Sequence, residues 1–181
     1  MPPASSLKRL QEQISPLDLM RPLPLPSPPT MGERGGGYCN DMDFSISPFT
    51  IDMYEDVITL WKETEGIGLS DADSKDSIRF YLERNPNMSF VVKDKEDTIL
   101  GAVLCGHDGR RGYIHHLAVR QGFRRQGMGR KLVQECLSQL QAAGIQKCHI
   151  FIFHNNLNGI NFWKSIGWTY REDLQIISRT L

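Results

Sequence analysis

The chain has no excess of charge of either sign. Its 181 residues carry 21 Lys and Arg against 21 Asp and Glu. Coating a nucleic acid takes a basic surplus that neutralises phosphates, so this balance excludes a general DNA- or RNA-binding protein. Long apolar runs are missing too. None approaches the ~20 residues that a spanning helix needs, so no membrane partner is expected. Cysteine is scarce. Cys39, Cys105, Cys136 and Cys148 stand apart with no C-x-x-C pair, which argues against a disulfide scaffold or a structural zinc site. The five histidines (His107, His115, His116, His149, His154) show no H-x-x-x-H or H-E-x-x-H spacing, and no metal is expected. The first residues lack the apolar core of a secretory signal. With unpaired cysteines, this leads to the expectation of a reduced, cytoplasmic setting.

Proline is abundant in one place only. Eight of the ten prolines precede residue 30, and Gly35-Gly36-Gly37 follows them. Residues 1–42 therefore read as a disordered Pro/Gly-rich tail. The run Arg21 to Pro29 favours polyproline II, because proline removes backbone donors and fixes φ. A solvated tail is the plain reading, and a ligand for an SH3 or WW domain is the sharper one. Residues 43–181 are enough for one domain with its own core.

From Asp43 the pattern alternates between strand and helix signals. Phe44 to Phe49 alternates as a strand. Met53, Val57, Leu60 and Trp61 recur at helical spacing within 52–64, and Ile78, Tyr81 and Leu82 do so within 74–84. Met88 to Val92, Ile99 to Cys105 and Tyr113 to Val119 read as strands joined by polar turns. A helix is expected over 127–143, stopped by Gly144. Cys148 to Phe153 is nearly all apolar and reads as a strand buried on both faces. A last helix over 156–166 and one or two strands over 168–180 complete the order β-α-α-β-β-β-α-β-α-β. The fold class is α/β, a mixed sheet with helices on both faces.

One segment carries chemistry. From Val119 to Lys131 the chain holds Arg120, Arg124, Arg125, Arg130 and Lys131 without an acid, and Gly127 and Gly129 sit where the helix starts. Glycines there let an anion approach the backbone. The first helical N–H groups lack intrahelical partners and lie at the positive end of the dipole. A phosphate-bearing ligand fits this pattern, and a tight turn with a solvated basic face is the plainer account. A Walker loop would need G-x-x-x-x-G-K-[ST], which is absent. A dinucleotide fingerprint would need a third glycine after Gly127-Met128-Gly129, and Arg130-Lys131-Leu132 stands there instead.

Arg124-Arg-Gln-Gly-Met-Gly129 resembles the [Q/R]-x-x-G-x-[G/A] pyrophosphate loop of the GNAT N-acetyltransferase superfamily, and Leu117-Ala-Val119 resembles the strand before it. The segment from Asn156 through Gly159, Phe162, Trp163 and Gly167 to Trp168 is similar to the superfamily's N-x-x-A-x-x-[L/F]-Y-x-x-x-G-[F/Y] pattern. The likeness covers residues 44–181 and is nearest to small bacterial-type and ribosomal-protein-alanine acetyltransferase members. It implies a GNAT fold, a central, mostly antiparallel sheet with splayed strands. It also implies acetyl-CoA as co-substrate and a primary amine, on a small molecule or on a protein N-terminus or lysine, as acceptor. A homodimer stays open.

By the same resemblance, backbone amides of Arg124, Arg125, Gln126, Gly127, Met128, Gly129 and Arg130 would hold the pyrophosphate. The main chain of Leu117, Ala118 and Val119 would pair with the pantetheine arm as an added strand. The Leu117 N–H is the candidate oxyanion donor, and Asn156 would steady the pantetheine. The superfamily's usual acid is a tyrosine where this chain has Trp163. An indole N–H donates a hydrogen bond but yields no proton near neutral pH, so Trp163 is expected to pack against the acyl-pantetheine region or in the core. Its presence leaves a second reading open, a non-catalytic acyl-CoA-binding or regulatory module.

His115 and His116 are neighbours on a strand and are expected to point to opposite faces. His115 would share a face with Tyr113 and Leu117 and relay the amine's proton, and His116 would be structural. Glu63, Glu65, Asp71 and Asp73 read as solvated loop acids that could favour a cationic acceptor.

Overall fold

The computed structural model describes residues 44–180, so the tail expected over 1–42 lies outside the described residues. Five strands form one sheet in sequence order: β1 (Ser45–Pro48), β2 (Phe90–Lys93), β3 (Ile99–His107), β4 (Gly112–Val119) and β5 (Cys148–Ile150). The first four pair antiparallel. β4 and β5 are parallel, because helix α3 (Met128–Ala142) makes the crossover between them.

Alternation along β2 and β3 splits the apolar side chains between two layers. Val91, Ala102 and Leu104 face helices α1 (Tyr54–Lys62) and α2 (Lys75–Arg84), where Val57, Leu60, Trp61 and Ile78 are buried. Phe90, Val92, Val103 and Cys105 face α3, which buries Met128, Leu132, Val133, Cys136 and Leu140 at helical spacing. Helix α4 (Leu157–Ser165) joins this second layer through Trp163. This is a mostly antiparallel mixed sheet covered on both faces, as the resemblance implied.

Two expectations about the end of the chain need correction. The strand expected over 148–153 is only Cys148–Ile150, half-buried, with Phe151 58% and Phe153 54% exposed. Its register with β4 ends at Ile114–Ile150. Beyond that pair β5 has no ladder to hold it, so the apolar run does not stay strand. Residues 168–180 contain no strand. Leu174, Ile176 and Ile177 are exposed, so no buried face holds that segment extended against the sheet.

Candidate functional site

A cleft of about 1100 Å³ opens where β4 and β5 part. It is lined by His115 to Val119 of β4, by Ile150 to Phe153 beyond β5, by the start of α3 and by α4. Its shape comes from an irregularity in β4. Leu104 pairs with His115 but Ala102 pairs with Ala118, so two residues, His116 and Leu117, stand opposite Val103. His116 occupies the left-handed region at φ 50°. This is a β-bulge, which bends a strand and re-aims side chains.

The bulge overturns the face assignment made by counting in twos. Ile114, Leu117 and Val119 belong to the α3 layer, and Leu104 and Ala118 to the α1 layer. The His115 ring stands 6.1 Å from Tyr81 of α2, and the His116 ring 4.9 Å from Trp61 of α1. Both histidines therefore lie on the α1–α2 side, and both line the cleft. His115 shares that side with Tyr113, as expected, but not with Leu117. His116 does not face away.

The two imidazoles differ in their partners. His116 Nε2 lies 2.7 Å from Asp73 Oδ1. Asp73 ends the 3-10 turn Asp71–Asp73, and its side chain is 8% exposed. It is fixed by a capping box: Oδ2 accepts the Ser70 N–H at 2.8 Å, while Ser70 Oγ accepts the Ala72 N–H. Tyr54 Oη donates to the Asp73 carbonyl at 2.9 Å. Asp73 is thus no solvated loop acid. His115 makes no side-chain hydrogen bond among the described residues. It sits among the rings of Tyr81, Tyr113 and Phe151.

Burial, helped by the neighbouring His116, holds His115 below the ordinary histidine range, and Asp73 opposes this weakly. The sign follows for stability. The unfolded chain binds the His115 proton more readily than the folded one, so this contribution is whole above the ordinary value of ~6.5 and is lost as pH falls through it. His115→Phe should therefore show a smaller fall in Tm than the wild type between about pH 7 and about pH 5. Equal falls in the two proteins would contradict this.

The loop before α3 has the conformation of an anion seat. Gly127 is the N-cap at φ 84°, and Arg125 is left-handed too, at φ 66°. Left-handed residues close together fold the chain so that successive N–H groups form a concavity. The five cations are not equivalent. Arg124 Nε donates to the Val119 carbonyl at 2.9 Å, and Arg120 Nε to the Ile99 carbonyl at 2.7 Å. Lys131 lies over the Phe44 ring at 4.5 Å. Arg125 and Arg130 are exposed and line the cleft. Of the loop residues singled out in the sequence, Arg124, Arg125, Gly127, Met128, Gly129 and Arg130 line the cleft, and Gln126 does not.

Asn156 lines the cleft and caps α4, its Oδ1 accepting the Gly159 N–H at 2.9 Å. The α1–α2 connection lies directly on it, since a Cβ at Gly66 would overlap the Asn156 amide. Trp163 is buried, with its ring 4.7 Å from Trp168, and it forms part of both the α3 layer and the cleft wall. No tyrosine lines the cleft among the described residues, and Glu65 is its only carboxylate. None of the described cysteines lines it. Burial pushes the Cys148 thiol up to about 12, and a hydrogen bond with Cys105, together with burial, pushes Cys136 upward as well. Neither supplies a thiolate near neutral pH.

Reading the sequence missed Asp73 and the orientation of His116. Two local signals pointed to them. Ser70-Asp-Ala-Asp73 has the S-x-x-[DE] form of a capping box, and histidine is among the residue types enriched at positive φ.

Residues 52–168 match the model of the Acetyltransferase (GNAT) family. An acetyltransferase of Pectobacterium atrosepticum is 32% identical over 123 residues, covering 68% of this chain and 86% of that protein. An acetyltransferase of Yersinia pestis is 26% identical over 136 residues, covering 75% of this chain and 95% of that protein. Among solved structures, the PaiA N-acetyltransferase of Thermoplasma acidophilum in complex with coenzyme A superposes with a TM-score of 0.64 at 16% identity, covering 72% of this chain and 92% of that one.

Proposed function

The chain belongs to the GNAT acetyltransferase family, and on that premise we propose that residues 43–181 transfer the acetyl group of acetyl-CoA to a primary amine by direct attack on the thioester. The amine belongs to a small molecule or to a protein N-terminus or lysine. The observation that carries this reading is the single cleft lined both by the start of α3 and by two histidines of the bulged β4.

The N–H groups from Arg124 to Arg130 meet the pyrophosphate, assisted by the exposed guanidiniums of Arg125 and Arg130. Beyond Ile114 the β4 backbone has no ladder partner on its β5 side among the described residues. There Leu117, Ala118 and Val119 offer main-chain groups to the pantetheine amides, and the Leu117 N–H to the oxyanion. Asn156 keeps an amide N–H₂ for the same arm, since its oxygen is used by the cap. Trp163 walls the acyl end. The leaving thiol needs no tyrosine acid, because a thiol is acidic enough to depart as thiolate. The coenzyme A in the Thermoplasma structure and the shared family support the donor.

Trp163 at the tyrosine position favours one rival, a module that binds acyl-CoA without turnover. Release of free CoA thiol across a panel of amines and peptide N-termini separates the two. Amine-dependent release supports the enzyme, and binding without release supports the module.

A further inference from the structure

We infer that His116, held by Asp73, is the group that takes the proton from the acceptor amine. This assignment rests on the acetyl-transfer reading above. It begins from a buried carboxylate whose second oxygen, beyond the one used by the Ser70 capping box, is spent on His116. Asp73 is buried, and its only ion-pair partner among the described residues is His116. A buried carboxylate carries a desolvation cost that a strut built from neutral groups would avoid.

The chemistry of the contact fixes the tautomer. A carboxylate oxygen only accepts, so at 2.7 Å the proton lies on Nε2. That leaves the Nδ1 lone pair of the neutral ring as an acceptor, and no described residue bonds to Nδ1. The Trp61 indole, 4.9 Å away, limits rotation of the ring, and the bulged residue itself is part of the cleft lining. The titratable and charged groups around it are Asp73 from the α1–α2 connection and His115 from its own strand, and Glu65 lines the same cleft. Helix α1 presents the uncharged Trp61. His115 has no carboxylate on its ring and no hydrogen bond to orient it.

The step balances without another reagent. An ammonium acceptor first loses one proton to water. The neutral amine nitrogen then forms the C–N bond to the acetyl carbon as the C–S bond breaks. One N–H proton passes to Nδ1, giving an imidazolium that Asp73 stabilises, and the sulfur leaves as thiolate. The imidazolium returns its proton to thiolate or solvent. Asp73 is a positioning residue in this scheme.

The test is kcat/KM against pH for the full chain, with acetyl-CoA and any amine that the wild type acetylates. His116→Gln is the discriminating variant, because an amide can keep a hydrogen bond to Asp73 but carries no exchangeable base. It should lower kcat/KM roughly 10²-fold or more and erase the acid-side limb of the profile. Acetyl-CoA affinity and Tm should stay near wild type. Asp73→Asn should lower kcat while KM and acetyl-CoA affinity stay near wild type, since the imidazolium formed in the step loses its counter-charge. Nitrogen NMR of the unmodified protein should find the neutral His116 ring protonated on Nε2, which decides the matter even if a variant fails to fold. A proton on Nδ1, or a His116→Gln enzyme within about twofold of wild type with its limb intact, overturns the assignment alone. A wild type that binds acetyl-CoA and acetylates no amine overturns the acetyl-transfer reading, and this assignment with it.

Discussion

Replacing Gly127 or Gly129 with glutamate should abolish acetyl-CoA binding and leave the fold largely intact. Gly127 sits at φ 84°, where a side chain strains the backbone by about 1–2 kcal/mol. A Cβ there meets nothing within 4 Å, so the added group overlaps no neighbour. At Gly129 a Cβ would come 3.4 Å from the Phe162 ring, an ordinary contact. The loss must therefore come from the site itself. A carboxylate at the helix N-terminus occupies the field meant for phosphate and repels it. Gly127→Ala separates the two effects, since it carries the backbone strain without the charge. It should keep most of the affinity. Calorimetry reads both, and near-normal affinity in a folded glutamate variant would remove the loop from the site.

Trp163→Ala should destabilise the fold by about 3–5 kcal/mol, more than it should weaken any ligand. The side chain is 9% exposed, edge-on to Phe162 and Trp168 with ring centroids 5.3 and 4.7 Å away. Its carbonyl accepts the Trp168 N–H at 3.0 Å, which closes the end of α4. Removing the indole leaves a cavity between the Phe162 and Trp168 rings of the α3 layer. Trp163→Tyr keeps most of that packing and should change the rate only modestly. Denaturant unfolding of both variants checks this. A stable alanine variant with a large loss of acetyl-CoA affinity would make Trp163 a ligand contact rather than a core residue.

The loop and the start of α3 were legible because everything that makes them is local. Gly127, Gly129 and the surrounding cations stand within a few residues, and a helix N-terminus needs no distant partner. The strand holding Val91 and Val92 was legible for the same reason, as an apolar run closed by a polar turn is a property of the segment itself. The bulge at His116 was not legible, because it exists only relative to Val103 on the neighbouring strand. One extra residue there moved Leu117 to the α3 layer and brought His115 and His116 to one side. Asp73 was misread because its charge and its acidic neighbours suggest solvent. Its burial depends on His116, 43 positions away in the chain. Phe151 and Phe153 were read as buried from apolarity alone, but burial takes a covering element, and the segment 168–180 forms no strand over them.

The measurement closest to the central claim is mass spectrometry of a panel of small amines and peptide N-termini incubated with the full chain and acetyl-CoA, with free CoA thiol followed in parallel. The account expects at least one amine to gain an acetyl group in step with thiol release, and both to vanish in Gly127→Glu. Acetyl-CoA binding without acetylation of any amine would contradict it and leave an acyl-CoA-binding module in its place.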